Sequence, residues 1–207
     1  MERNKIAFFR GRKIGGTSIE EAMHGSIGSH CRISMANVED DFSGFDLVTY
    51  IGPPCADIIR AVDGRTTFAV VRNPYDKARS AYWYLRDTIV PPGAPFRDHS
   101  LEYCLQNLPA CDDDSQGHGQ GHHYKHFTMT QTQYLYLDGK LVADHLLRFE
   151  DLGNEVNAFF ESQGYDVPEM PHMVRGKYDA ELTHRECELI GEIFHDDFIN
   201  FGYDLRV

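Results

Sequence analysis

The chain has 207 residues, a formal net charge of −12, and 42% hydrophobic and 12% aromatic content, which is enough to bury one core. The acidic balance argues against a protein that works by gripping DNA or RNA, where lysine and arginine must neutralise phosphates, and against a heavily sulfated polymer as partner. No stretch of about eighteen consecutive apolar residues occurs, and no basic start leads into an apolar run, so a single cytoplasmic domain over residues 1–207, with no membrane partner, is expected. Cys31, Cys55, Cys104, Cys111 and Cys187 are odd in number and form no C-x-x-C pair, as suits reduced thiols.

In chain order, Ile6, Ala7, Phe8 and Phe9 make an apolar run that predicts a buried strand over Lys5–Phe9. Gly15 and Gly16 permit a tight turn, and Thr17-Ser18-Ile19-Glu20 reads as a capping box, which predicts a helix over Thr17–Met23. Amides left unbonded at such a start, with the positive end of the helix dipole behind them, attract an anion, and Lys13 adds a point charge. The ATP-binding loop G-x-x-x-x-G-K-[ST] carries its lysine after the last glycine; Lys13 precedes the glycine pair, so the segment is a different device. A plain glycine turn with an exposed lysine is the alternative.

A strand over Leu47–Ile51 and a helix over Cys55–Val62 follow, then a β-branched, apolar strand over Thr67–Val71. Asn73 suits an N-cap and Pro74 the first helical position, so a helix is predicted over Pro74–Arg86. Arg72 stands at the strand's end, and Lys77, Ser80 and Tyr84 share one helix face. Together they are expected to hold a second phosphate, the alternative being a strand-end ion pair for Arg72. A helix over Leu101–Leu108 precedes a glycine- and histidine-rich insertion, Asp112–His126, and His118, His122, His123 and His126 raise a metal reading. Histidines spaced by glycine in a polar loop lack the surrounding contacts that fix metal ligands, so a surface loop or an acceptor-binding lid is preferred. A strand over His145–Phe149 and helices over Gly153–Gln163 and Thr183–Asn200 complete the chain, the last opened by a capping box from Thr183 to Glu186. Alternating strands and helices predict an α/β fold with a parallel sheet covered on both faces. Phosphate loops in such sheets lie at the carboxyl ends of strands, where both anion motifs fall.

The two segments taken together, R-K-I-G-G-T-S at Arg12–Ser18 and R-N-P-Y-D-K-A-R-S at Arg72–Ser80, resemble those of the sulfotransferases that use 3′-phosphoadenosine 5′-phosphosulfate, in particular the carbohydrate sulfotransferases and their small bacterial relatives. That family has P-K-T-G-G-T-S for the 5′-phosphosulfate and R-x-P-x-x-R-x-x-S for the 3′-phosphate. Arg12, Ile14 and Lys77 replace its proline, threonine and arginine. Further resemblance runs through His126–Leu135 (HFTMTQTQYL), Leu147–Leu152 (LRFEDL) and Asp197–Asp204 (DFINFGYD); Gly25–Phe45 and Pro91–Gln120 are the least recognisable. The resemblance implies a P-loop-NTPase-like three-layer α/β/α fold with a central parallel sheet. It also implies that Lys13 and the amides of Gly15, Gly16, Thr17 and Ser18 bind the 5′ end of the donor, while Arg72 and Ser80 bind the 3′-phosphate.

On that resemblance a base takes the proton of a hydroxyl acceptor, carbohydrate or small molecule, and the oxygen attacks sulfur in line. Adenosine 3′,5′-bisphosphate leaves, with Lys13 donating to the bridging oxygen; the scheme calls on no metal. Many relatives carry a glycine-histidine pair as base after the second strand, where this chain reads Tyr50-Ile51-Gly52-Pro53. The base candidates are therefore His126 and His24, ahead of His30, Glu20 and Glu21. The acceptor pocket is expected from Pro91–Gln133 and from Arg175–Tyr178, with Arg175 and Lys177 as donor or acceptor contacts or plain surface charges. A small-molecule kinase and a nucleotide-binding protein without catalysis are the alternative readings.

Overall fold

The computed structural model describes residues 3–23, 27–89, 95–108, 120–166 and 181–206. In chain order the elements are β1 Ile6–Phe9, α1 Gly16–Met23, β2 His30–Ile33, β3 Leu47–Tyr50, α2 Ala56–Ala61, β4 Thr66–Val71, α3 Pro74–Tyr84, α4 Pro95–Asp98, α5 Leu101–Gln106 and α6 Gln120–Thr128. There follow α7 Gln131–Leu135, β5 Tyr136–Leu137, β6 Lys140–Leu141, β7 His145–Arg148, α8 Leu152–Ser162, α9 His184–Ile193 and α10 His195–Phe201. They pack as two compact units, Met1–Arg72 with Gln131–Met173, and Asn73–Thr130 with Val174–Val207. Among the described residues no helix is long and apolar enough to cross a membrane.

The first unit is built on a five-stranded sheet in the order β2-β3-β1-β4-β7, every neighbouring pair parallel. Helices flank this central sheet, which makes the expected α/β architecture. Strand β1 is buried on both faces, as parallel strands under helices must be: Ile6 and Phe8 are 0% exposed, Ala7 and Phe9 2%. On one face Phe8 stacks on Phe68 at 4.6 Å between ring centroids, and Phe68 meets Phe159 of α8 at 4.7 Å. Ile14, Ile19 and Met23 join the same cluster, so the turn after β1 is anchored from beneath by its own isoleucine. Each such side chain contributes about 1.5–3 kcal/mol on burial.

The second unit centres on α3, α5, α6, α9 and α10, around Tyr75, Ala78, Tyr82, Leu101, Phe127, Ile190, Phe194 and Phe198. The Asn73 side chain accepts from the Tyr75 amide at 3.0 Å and Pro74 opens α3, as expected. The Thr183–Glu186 capping box is also present. The last predicted helix is instead two, because the chain turns at Phe194 and buries that ring at 1% exposure.

Other differences have local causes. The first capping box does not form: α1 starts one residue early, and the Glu20 carboxylate is taken by Arg10 and Arg32, both at 2.7 Å. Strand β2 carries His30 and Arg32 on a sheet edge and so lacks the apolar run that reveals a central strand. The β5–β6 hairpin turns on Asp138 and Gly139, both with positive φ (50° and 75°), the signature of an Asp-Gly two-residue turn. The end of the predicted insertion is helical, since α6 runs from Gln120. The rest of that insertion, His118 included, lies outside the described residues, as do Cys111, Arg175 and Lys177. Of His122 and His123 the backbone alone is described. Cys104 is a free, buried thiol whose pKa burial pushes up to about 12.

Candidate anion-binding site

Strands β1 and β4 are direct neighbours in register, Phe9 opposite Ala69, so the segments that follow them emerge side by side at the carboxyl edge of the sheet. After β1 the chain turns through Lys13 and Gly15, both in the left-handed region (φ 62° and 78°), and enters α1 at Gly16. Glycine adopts that conformation freely; for Lys13 it is a constrained geometry that turns the residue's carbonyl toward the neighbouring corner. Arg72, immediately after β4, donates from Nη1 to this Lys13 carbonyl at 3.2 Å.

The first helical bond runs from the Ile19 amide to the Gly15 carbonyl at 3.1 Å, so the amides of Gly16, Thr17 and Ser18 precede the helical ladder. The space beside Gly16 is occupied. A Cβ on it would come within 2.8 Å of Arg10 Cγ and Cδ, because the Arg10 side chain lies across the glycine. Arg10 is held there by Glu20 at 2.7 Å and by the Thr17 hydroxyl, Nη2 to Oγ1, at 2.8 Å. Arg12 donates from Nε to the Tyr134 hydroxyl at 2.9 Å.

Electrostatically the corner is set for a negative ligand. Burial, and then the positive charge of Arg72, lower the Lys13 ammonium to about 8. Two cations share one partly desolvated corner of a chain whose net charge is −12. An anion bound against both would relieve that repulsion.

The other predicted residues belong to further elements. Ser80 lies on α3 in the second unit and is 5% exposed. Lys77, expected on a phosphate-facing side of that helix, is 1% exposed; its ammonium donates to the Met129 carbonyl at 2.7 Å and lies 4.8 Å from the centre of the Phe194 ring. It is an internal strut of the second unit, because the face it shares with Ser80 packs inward. His126 belongs to α6 in the same unit, its ring 4.9 Å from that of Tyr84. His24 lies outside the described residues. Nε2 of His30 pairs with the Thr49 hydroxyl at 3.0 Å, and the Glu20 carboxylate takes both Arg10 and Arg32 at 2.7 Å. The Tyr50 hydroxyl donates to the Pro53 carbonyl at 2.8 Å, and burial above all pushes the phenol up to about 12.

Two residues around Arg72 carried no assigned role from sequence. Gln131 makes a reciprocal pair with the Arg72 main chain, accepting from its amide at 2.7 Å and donating to its carbonyl at 2.8 Å. Phe149 lies under the guanidinium, 4.0 Å from ring centroid to Cζ. Both stand in segments that the family resemblance had picked out, the T-Q-T and the R-F-E; that coincidence was the available signal.

No protein-family model matches the chain, and no curated protein matches it in sequence. The structure is similar to the crystal structure of a sulfotransferase from Alicyclobacillus acidocaldarius, with a TM-score of 0.55 and 16% identity, over 99% of this chain and 98% of that one. A likeness at that identity shows the fold alone.

Proposed function

We propose that the protein is a sulfotransferase that moves a sulfuryl group from 3′-phosphoadenosine 5′-phosphosulfate to a hydroxyl on a carbohydrate or small molecule. The observation that carries the reading is the contact between Arg72 and Lys13, which joins two separately recognised anion motifs at neighbouring strand ends. The shared fold with a sulfotransferase supports it further.

In this reading the amides of Gly15, Gly16, Thr17 and Ser18 and the Lys13 ammonium receive the 5′ end of the donor, and Arg72 receives the 3′-phosphate. Ser80 is included on its motif alone. The acceptor oxygen forms a bond to sulfur as the bond from sulfur to the phosphate oxygen breaks. The electron pair departs with adenosine 3′,5′-bisphosphate, and the hydroxyl proton passes to a histidine, His126 or His24. Lys13 stabilises the charge that grows on the leaving oxygen, the role a fixed cation performs best in a partly desolvated corner.

The test is transfer of labelled sulfate from the donor to a panel of hydroxyl acceptors, together with calorimetry of adenosine 3′,5′-bisphosphate against ADP and ATP. Transfer that Lys13→Ala abolishes in a folded protein, with tighter binding of the 3′-phosphorylated nucleotide, is the expected result. Loss of turnover in only one of His126→Ala and His24→Ala then identifies the base. Magnesium-dependent ATP turnover without preference for the 3′-phosphate would overturn the reading in favour of a kinase.

A further inference from the structure

We propose that Gln131 and Phe149 are positioning residues that hold Arg72 as a clamp on the Lys13 turn, so that a single arginine sets the geometry of both anion-binding corners. The ligand side of this inference rests on the function proposed above; the clamp itself does not.

Arg72 stands just beyond the sheet. The ladder between β4 and β7 ends at the pair Val71 and Arg148, and the ladder between β4 and β1 ends at Ala69 and Phe9. There the Gln131 carboxamide holds the Arg72 main chain, with Oε1 receiving the Arg72 amide at 2.7 Å and Nε2 bonding the Arg72 carbonyl at 2.8 Å. A carboxamide carries an acceptor and a donor on one planar fork, and so continues the ladder by one residue where an ionised carboxylate, which only accepts, would satisfy half of it. At 2% exposure, Gln131 makes these bonds away from competing water.

Phe149 fixes the side chain by the same register. It follows Arg148, the last residue of β7, just as Arg72 follows Val71, so the two residues come out side by side. The ring covers one face of the guanidinium at 4.0 Å and leaves its edges for hydrogen bonds. One edge is used on the Lys13 carbonyl. With main chain and ring face both held, Arg72 reaches a ligand already ordered, and the turn that carries Lys13 is held with it.

Four variants test this, Gln131→Met, Gln131→Ala, Phe149→Leu and Phe149→Tyr, with two measurements on each. The first is NMR titration of the Lys13 ammonium in the ligand-free protein, with Arg72→Ala as reference. The second is calorimetric affinity for adenosine 3′,5′-bisphosphate. Gln131→Met and Phe149→Leu are expected to move the Lys13 titration upward in the direction of the Arg72→Ala reference and to weaken nucleotide binding by about tenfold, while Phe149→Tyr, which keeps the ring, stays near the parent. Should the Gln131 variants fail to fold, the contrast between Phe149→Leu and Phe149→Tyr decides alone. An unchanged Lys13 titration in both Gln131→Met and Phe149→Leu would overturn the clamp. If no variant nor the parent binds the nucleotide, the proposed function fails, and the titration still judges the clamp.

Discussion

The Arg72 guanidinium bonds the carbonyl of Lys13, a residue whose own ammonium it repels. Burial and this repulsion hold the ammonium at about 8, below its ordinary 10.5. Between those two values the unfolded chain binds a proton that the folded one does not, so the Lys13 contribution to stability improves as pH rises through that window. Ligand binding has the opposite sign. An anion favours the charged form, raises the Lys13 pKa and draws in a proton, so affinity for adenosine 3′,5′-bisphosphate should fall above about pH 8, approaching tenfold per pH unit. Calorimetry from neutral to alkaline pH, in buffers of different ionisation enthalpy, reads both the slope and the proton uptake. Lys13→Arg, whose charge persists throughout, should flatten the profile; a flat profile in the parent protein would show that Lys13 does not meet the anion.

The close approach of Arg10 to Gly16 predicts a coupled pair. Gly16→Ala must displace Arg10 from Glu20 and Thr17, and is expected to weaken nucleotide binding by about tenfold through the misplaced turn. In an Arg10→Ala background the new methyl has room, and the same substitution should then cost much less. Binding constants for the two single variants and the double variant close the cycle. Additive losses would mean that Gly16 is required for a reason other than the space Arg10 occupies.

What could be read from the sequence follows what each signal depends on. The central strands are legible because parallel strands buried on both faces must be largely apolar, as Ile6–Phe9 and Phe68–Val71 are. Strand β2, at the edge of the sheet among the described residues, was not legible because its HCRI sequence places polar His30 and Arg32 where a central strand would be apolar. The Asp138-Gly139 turn joins two-residue strands too short to show alternation. In the candidate site, the Lys13–Gly16 turn and the strand-end position of Arg72 were legible because glycine spacing and a strand-to-helix junction are local signals. The partners of Arg72 were not, because Gln131 and Phe149 reach it from remote segments, and only the folded register brings them together. Glu20 shows the limit of local rules: a capping-box spacing was overridden by two arginines that tertiary structure delivered to the same carboxylate.

Lys77 offers a test that separates structural from ligand-binding cations. Its ammonium supports the Met129 carbonyl and faces Phe194 inside the second unit, so its removal should be felt in stability. Lys77→Ala deletes a buried side chain and a hydrogen bond, a loss of about 2–4 kcal/mol, equivalent to roughly 5–15 °C in the thermal midpoint for a chain of this size. Lys77→Met keeps the aliphatic volume and gives up only the polar end, so its midpoint should lie between those of the parent and the alanine variant. Affinity for adenosine 3′,5′-bisphosphate should stay within about twofold of the parent in Lys77→Met, since the methionine preserves the packing and no ligand contact is removed. Thermal melts followed by circular dichroism, paired with calorimetry on the same preparations, give both quantities. A normal midpoint with a tenfold loss of affinity in Lys77→Met would instead place this ammonium at a phosphate, where the family's arginine stands.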